Sequence, residues 1–143
     1  MNLKKSALVL LSLAALVGCA TTSLPIAELK SVPPNRIAWK ESATEGAATL
    51  LIARDSGFTG SAATAMVSID GLAAAEIEAQ ELTRLRVSHG RRNVSVWIRA
   101  PMGAVLHKPR SLEVTLAPSS TVLLRIGFDD GARGFSVWQE VAP

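Results

Sequence analysis

Leu82-Thr83-Arg84-Leu85-Arg86-Val87 and, after Ser88 to Asn93, Val94-Ser95-Val96-Trp97-Ile98-Arg99 carry the pattern that sets the fold class. Apolar and polar residues alternate in both. A strand sends successive side chains to opposite faces, so each run has one face for a core and one for solvent. Pairing Val87 with Val94 sets Leu85 against Val96 and Thr83 against Ile98, which predicts a hairpin with a single apolar face. Its other face places Arg84 across from Trp97, Arg86 across from Ser95 and Leu82 across from Arg99. The end of the chain repeats the pattern. Pairing Phe128 with Phe135 sets Ile126 against Val137 and Val122 against Val141, with Arg125 opposite Trp138.

Further runs of the same kind lie at Arg36–Lys40, Ala48–Arg54, Ala65–Ile69, Ala73–Ala79, Leu112–Leu116, Val122–Phe128 and Gly134–Val141, separated by Gly, Pro, Asp, Ser or Asn. Short strands at this spacing predict an all-β domain, a small antiparallel β-sandwich of immunoglobulin-like or related kind. Ala73–Ala79 is rich in helix formers and also reads as a short helix. The preceding Asp70-Gly71 favours a strand, because an Asp-Gly pair between apolar runs suits a two-residue hairpin turn.

The composition narrows the chemistry. One Cys and two His, His89 and His107, nearly exclude a metal site of Cys and His ligands, and no cofactor site is legible. There are 15 basic and 12 acidic side chains in 143 residues, and two of the basic ones, Lys4 and Lys5, stand at the extreme amino terminus. The balance of the rest, 13 against 12, argues against nucleic acid, and no ladder of aromatic residues interleaves the arginines.

Lys4-Lys5 precede an apolar run from Ala7 to Val17, the layout of an export signal. The run falls short of the roughly 20 apolar residues that a membrane-spanning helix needs, and the later sequence has no such stretch. Leu16-Val17-Gly18-Cys19 resembles the lipobox of bacterial lipoproteins. That resemblance implies cleavage after residue 18, acylation of Cys19 and a membrane anchor of three acyl chains. An exported thiol with no partner for a disulfide also favours modification of Cys19. Ala20, where retained lipoproteins carry Asp, resembles the pattern of export to the outer membrane, with the domain facing the periplasm. The expected organisation is a signal at 1–18, a lipidated tether at 19–35 and a sandwich at 36–143. Prolines punctuate the tether, so it is read as flexible with some stiffness.

Several sites are candidates. A guanidinium over an exposed indole contributes about 0.5 to 1 kcal/mol and can build a platform for a sugar ring or a partner's side chain. Arg84, Trp97, Arg125 and Trp138 form such a face if the two registers hold; the alternative is that each arginine stem merely covers a tryptophan. Arg86, Arg91, Arg92 and Arg99, with Arg84, suit the phosphates of lipid headgroups or anionic envelope polymers, unless acidic residues from elsewhere offset them. His89 and His107 stand in loop-like sequence with no nucleophile motif beside them, so no catalytic residue is assigned. Asp129-Asp130-Gly131 reads as a hairpin turn, since the longer alternating pattern of calcium loops is missing. Asn93-Val94-Ser95 matches a glycosylation acceptor that an export signal of this bacterial kind makes incidental.

Val67-Ser68-Ile69-Asp70-Gly71, the strand pair after it, and Gly90 before Val94-Ser95-Val96 resemble small β-sandwich domains of bacterial lipoproteins. Leu51-Ile52-Ala53-Arg54 and Ser56-Gly57-Phe58-Thr59-Gly60-Ser61-Ala62 fit the early part of that pattern, over residues 48 to 128. The chain departs from it at His89-Gly90-Arg91-Arg92, where the pattern has Pro-Gly-x-His, and in Val122–Phe128, where it has more aromatic residues. The resemblance implies a fold and an envelope location, and brings no reaction with it. The expectation is therefore a non-catalytic, lipid-anchored module that binds an envelope protein or glycan. Two other readings stand beside it: a small hydrolase using His89 or His107 with a serine and a carboxylate, and a subunit completed by a partner's strand.

Overall fold

The computed structural model describes residues 23–57, 61–128 and 134–143. The signal at 1–18, Cys19, Phe58-Thr59-Gly60 and Asp129-Asp130-Gly131 lie outside the described residues. The nine strands among the described residues are β1 (Lys30–Ser31), β2 (Ala48–Arg54), β3 (Thr64–Ile69), β4 (Leu72–Ile77), β5 (Glu81–Val87), β6 (Gly90–Arg99), β7 (Val105–Leu116), β8 (Thr121–Phe128) and β9 (Phe135–Glu140). They form a five-stranded sheet in the order β1-β5-β2-β8-β9 and a four-stranded sheet in the order β4-β3-β6-β7. Most pairs are antiparallel, but β2–β8 and β1–β5 run parallel.

Alternation places the core between the sheets. Leu50, Ile52, Leu85, Val87, Leu124 and Ile126 face Val67, Ile69, Val94, Val96 and Ile98 in one buried cluster. The β3–β4 hairpin turns on Asp70 and Gly71, both at positive φ (50° and 81°), the backbone that an Asp-Gly turn requires. In the final hairpin the structure pairs Phe128 with Phe135, Ile126 with Val137 and Arg125 with Trp138. That ladder ends at Leu123–Glu140, so Val122 and Val141 do not pair, and Val141 is exposed.

The first predicted hairpin does not form. β5 pairs with β2 and β1, while β6 pairs with β3 and β7. Leu85, Val87, Val94, Val96 and Ile98 are all buried, as the alternation requires. Period two identifies the face that meets the core. It does not say from which side of the core a strand looks inward, and β5 and β6 look in from opposite sides. β6 begins at Gly90, earlier than predicted, so only Ser88 and His89 lie between β5 and β6, and Gly90 makes the turn at φ 110°.

Arg36–Lys40 is not a strand either. Pro33 and Pro34 lead into a short 3-10 turn at Pro34–Arg36, and one bridge joins Ile37 to Ala75. The amides of Ala38 and Trp39 both donate to the Ala74 carbonyl, so a regular ladder cannot continue. Of the Ala73–Ala79 run, Ala73 to Ile77 adopt the strand reading, within β4, and Glu78 and Ala79 fall in the turn after it. The described part of the stretch read as a tether packs on the domain. Lys30–Ser31 adds β1 beside β5, and Val32 enters the core. Ile26 and Leu29 cover Leu51, Ala53 and Leu123 on the outer face of the five-stranded sheet. Burying these apolar residues, at about 25 cal/mol for each Å² removed from water, is what fixes a proline-punctuated segment there.

Candidate functional site

Arg125 is the centre of the most densely bonded surface cluster. β8 turns Leu124 and Ile126 inward, which leaves Leu123 and Arg125 on the outer face, yet Arg125 is only 6% exposed because residues from both ends of the chain cover that face. Its Nη1 donates to Asp55 Oδ1 (2.7 Å) and its Nε donates to Glu140 Oε2 (2.6 Å). Ser23 Oγ donates to Asp55 Oδ2 (3.0 Å), and the Trp138 indole N–H donates to Glu140 Oε1 (3.2 Å). Burial lowers the Arg125 pKa, but its hydrogen bonds to Glu140 and Asp55 outweigh this and leave it raised. The hydrogen bond from Arg125 holds the Glu140 carboxyl below its ordinary range.

Arg125 and Trp138 are thus cross-strand neighbours, linked through a shared carboxylate. With two carboxylates already bound, the guanidinium is occupied by the fold. Arg84 and Trp97 are not brought together. Arg84 lies opposite Leu51 in the five-stranded sheet and Trp97 opposite Met66 in the four-stranded sheet, so they point outward on opposite sides of the sandwich. A single platform of Arg84, Trp97, Arg125 and Trp138 does not exist in this structure.

The arginine-rich region divides in the same way. On the four-stranded sheet Arg91 pairs with Glu113 (3.3 Å), Arg92 with Asp70 (3.0 Å) and Arg99 with Glu76 (3.0 Å). Asp70 also accepts the Asn93 backbone N–H (2.8 Å), and this bond, with Arg92, keeps its carboxyl below the usual range despite partial burial. Arg84 and Arg86, on the five-stranded sheet, are exposed and in no ion pair among the described residues. The Arg86 backbone N–H donates to Glu41 Oε2 (2.6 Å).

His89 is exposed in the connection between the sheets. His107 lies on β7, with ring centroids of Phe128 and Phe135 at 6.3 and 6.1 Å. Among the described residues no serine or carboxylate is seen hydrogen-bonded to either ring, no group of three or more His, Cys, Asp or Glu is placed to hold a metal, and no helix is long and apolar enough to cross a membrane.

The sequence reading passed over Arg54, which points into the core at the end of β2 and is 1% exposed. Its Nη1 donates to the carbonyls of Ala63 (2.6 Å) and Ile77 (2.9 Å), and its guanidinium carbon lies 5.3 Å from the Phe128 ring centroid. Burial pushes the guanidinium down to about 10, against the pull of Glu78 and Glu81, and it stays a cation at neutral pH. The signal was available, since Ala48, Leu50, Ile52 and Arg54 share one parity. Comparison with protein-family models finds no match to this chain, and neither does comparison with curated proteins.

Proposed function

We propose that this chain is a lipoprotein of the bacterial envelope, anchored through Cys19 in the outer membrane and facing the periplasm, whose sandwich is a non-catalytic module that joins a partner protein by strand addition. The lipobox-like Leu16-Val17-Gly18-Cys19 after a charged and apolar start supports the location. The state of the four sheet edges carries the mode of binding. β1 is two residues long, and Ile37 to Trp39 lie along β4. On β7 the register shifts opposite Trp97, where Lys108 and Pro109 form a bulge. Short edges, covering segments, lysine, proline and bulges all discourage another strand from pairing. Among the described residues β9, Phe135-Ser136-Val137-Trp138-Gln139-Glu140, carries no lysine, proline or register shift, and β7 approaches it at Phe135, whose ring lies 6.1 Å from that of His107. The one charge of β9, Glu140, is held by Arg125. An unguarded edge is where an extended segment of a partner adds main-chain hydrogen bonds.

A photo-crosslinking residue at Gln139 on β9, compared in cells with one at the exposed Thr115 on β7, tests this reading. A protein adduct from Gln139 and not from Thr115, together with loss of the same protein from affinity-purified Gln139→Lys, is the expected result. Equal adducts from both positions, undiminished recovery with Gln139→Lys, or recovery of glycan alone contradicts it.

A further inference from the structure

The outer face of the five-stranded sheet combines three features. First, the described chain starts there, because Ser23 Oγ is bound to Asp55. Four residue steps separate Ser23 from Cys19, which at full extension is about 14 Å. Second, Pro25, Ile26, Leu123, Val141 and Pro143 line an open groove of about 580 Å³ beside that point. Its polar residues, Arg125 and Glu140, are ion-paired, and with Asp55 on the same guanidinium the cluster keeps one net negative charge. Third, Arg84 and Arg86 project from the same face without an ion pair among the described residues, while on the opposite sheet Arg91, Arg92 and Arg99 are paired and the exposed Arg110 is not.

We infer that this face lies flat on the bilayer, with the groove against the lipid interface and Arg84 and Arg86 on the phosphates of anionic headgroups. The inference rests on the lipoprotein reading above. So short a connection leaves the Asp55 end no room to stand far from an anchored Cys19. Arg86 pairs with Thr49, six residues along β2 from Asp55, or about 20 Å. Only a face lying flat brings both the groove and the arginines to the surface. Each basic residue near an anionic surface favours that pose by about fivefold in population, from about 1 kcal/mol. Glu28 and Glu41 are exposed carboxylates on the covering segments, and two flanking acids set a limit on how anionic the surface needs to be.

The test uses the full chain, exported and purified from membranes and then placed in vesicles of phosphatidylethanolamine and phosphatidylglycerol. A nitroxide is attached at Thr121→Cys, on the outer face of β8 next to Thr49, or at Thr115→Cys on the opposite sheet. Collisions with an aqueous nickel chelate report exposure. Severalfold shielding at Thr121 relative to Thr115, lost when Arg84→Glu and Arg86→Glu are added, is expected. Equal exposure of the two labels on a chain whose mass shows an acylated Cys19 overturns the orientation and leaves the lipoprotein reading intact. A chain without acyl groups overturns both.

Discussion

Arg125 and Asp55 show how much of the outer face depends on one pair. The Asp55 side chain is 1% exposed, and Arg125 is its ion-pair partner at 2.7 Å. Removing one member of a buried pair leaves an uncompensated charge, so Arg125→Met is expected to cost about 3 to 5 kcal/mol in chemical denaturation, and adding Asp55→Leu to recover much of it. A loss below about 1 kcal/mol would place the pair in solvent. Thr83 works in the opposite direction. It is 2% exposed on the inner face of β5, and its hydroxyl has no hydrogen-bond partner among the described residues. Thr83→Val is expected to stabilise by about 1 kcal/mol, and a lower denaturation midpoint would show that the hydroxyl is bonded. Asp70 and Glu140 both titrate below their ordinary ranges. The unfolded chain therefore binds protons first as pH falls, so their stabilisation is complete above about pH 4 and is lost below it. Asp70→Asn is expected to flatten that acid limb of a stability profile, and an unchanged limb would contradict the assignment.

At the scale of elements, the pairing of β5 is the finding furthest from the sequence reading. Thr49→Cys with Arg86→Cys, a cross-strand pair on the outer face of β2 and β5, is expected to oxidise to a disulfide. Arg86→Cys with Ser95→Cys, the pair of the rejected hairpin, is expected to stay reduced; the reverse outcome would restore that hairpin. Ala48–Arg54 was legible to the residue, and so was the turn at Asp70-Gly71, because each depends on local alternation or on two turn residues. The register of β8 with β9 was legible since a short connection leaves few alternatives. Whether β5 folds back on β6 or crosses to the other sheet depends on β2 and β8 being available as partners, and no local pattern records that. Asp55 and Glu140 likewise lie far apart in sequence and meet only through Arg125, so that cluster could not be read in advance. Pro109 was hidden for the opposite reason: the predicted strand begins only after it, at Leu112, whereas an edge bulge accommodates it inside β7.

At the scale of the molecule, the two outer faces have different characters. The four-stranded sheet offers solvent Arg91, Arg92 and Arg99, each against a carboxylate, beside Lys108 and Arg110 of β7, which are exposed and in no ion pair among the described residues. The five-stranded sheet carries Ser23 bound to Asp55, the apolar groove, two arginines in no ion pair among the described residues and, along one side, the edge strand β9. An anchor at Cys19 would give that asymmetry a purpose, holding one face at lipid and leaving an edge strand open to a partner. The most direct measurement is therefore the mass of the chain isolated from cell membranes, beside that of Cys19→Ser. The expected product begins at Cys19 and carries acyl chains, while Cys19→Ser accumulates at full length without them. A mature chain with a free thiol at Cys19, or a Cys19→Ser variant processed and acylated like the wild type, would contradict the anchor and the membrane orientation built on it.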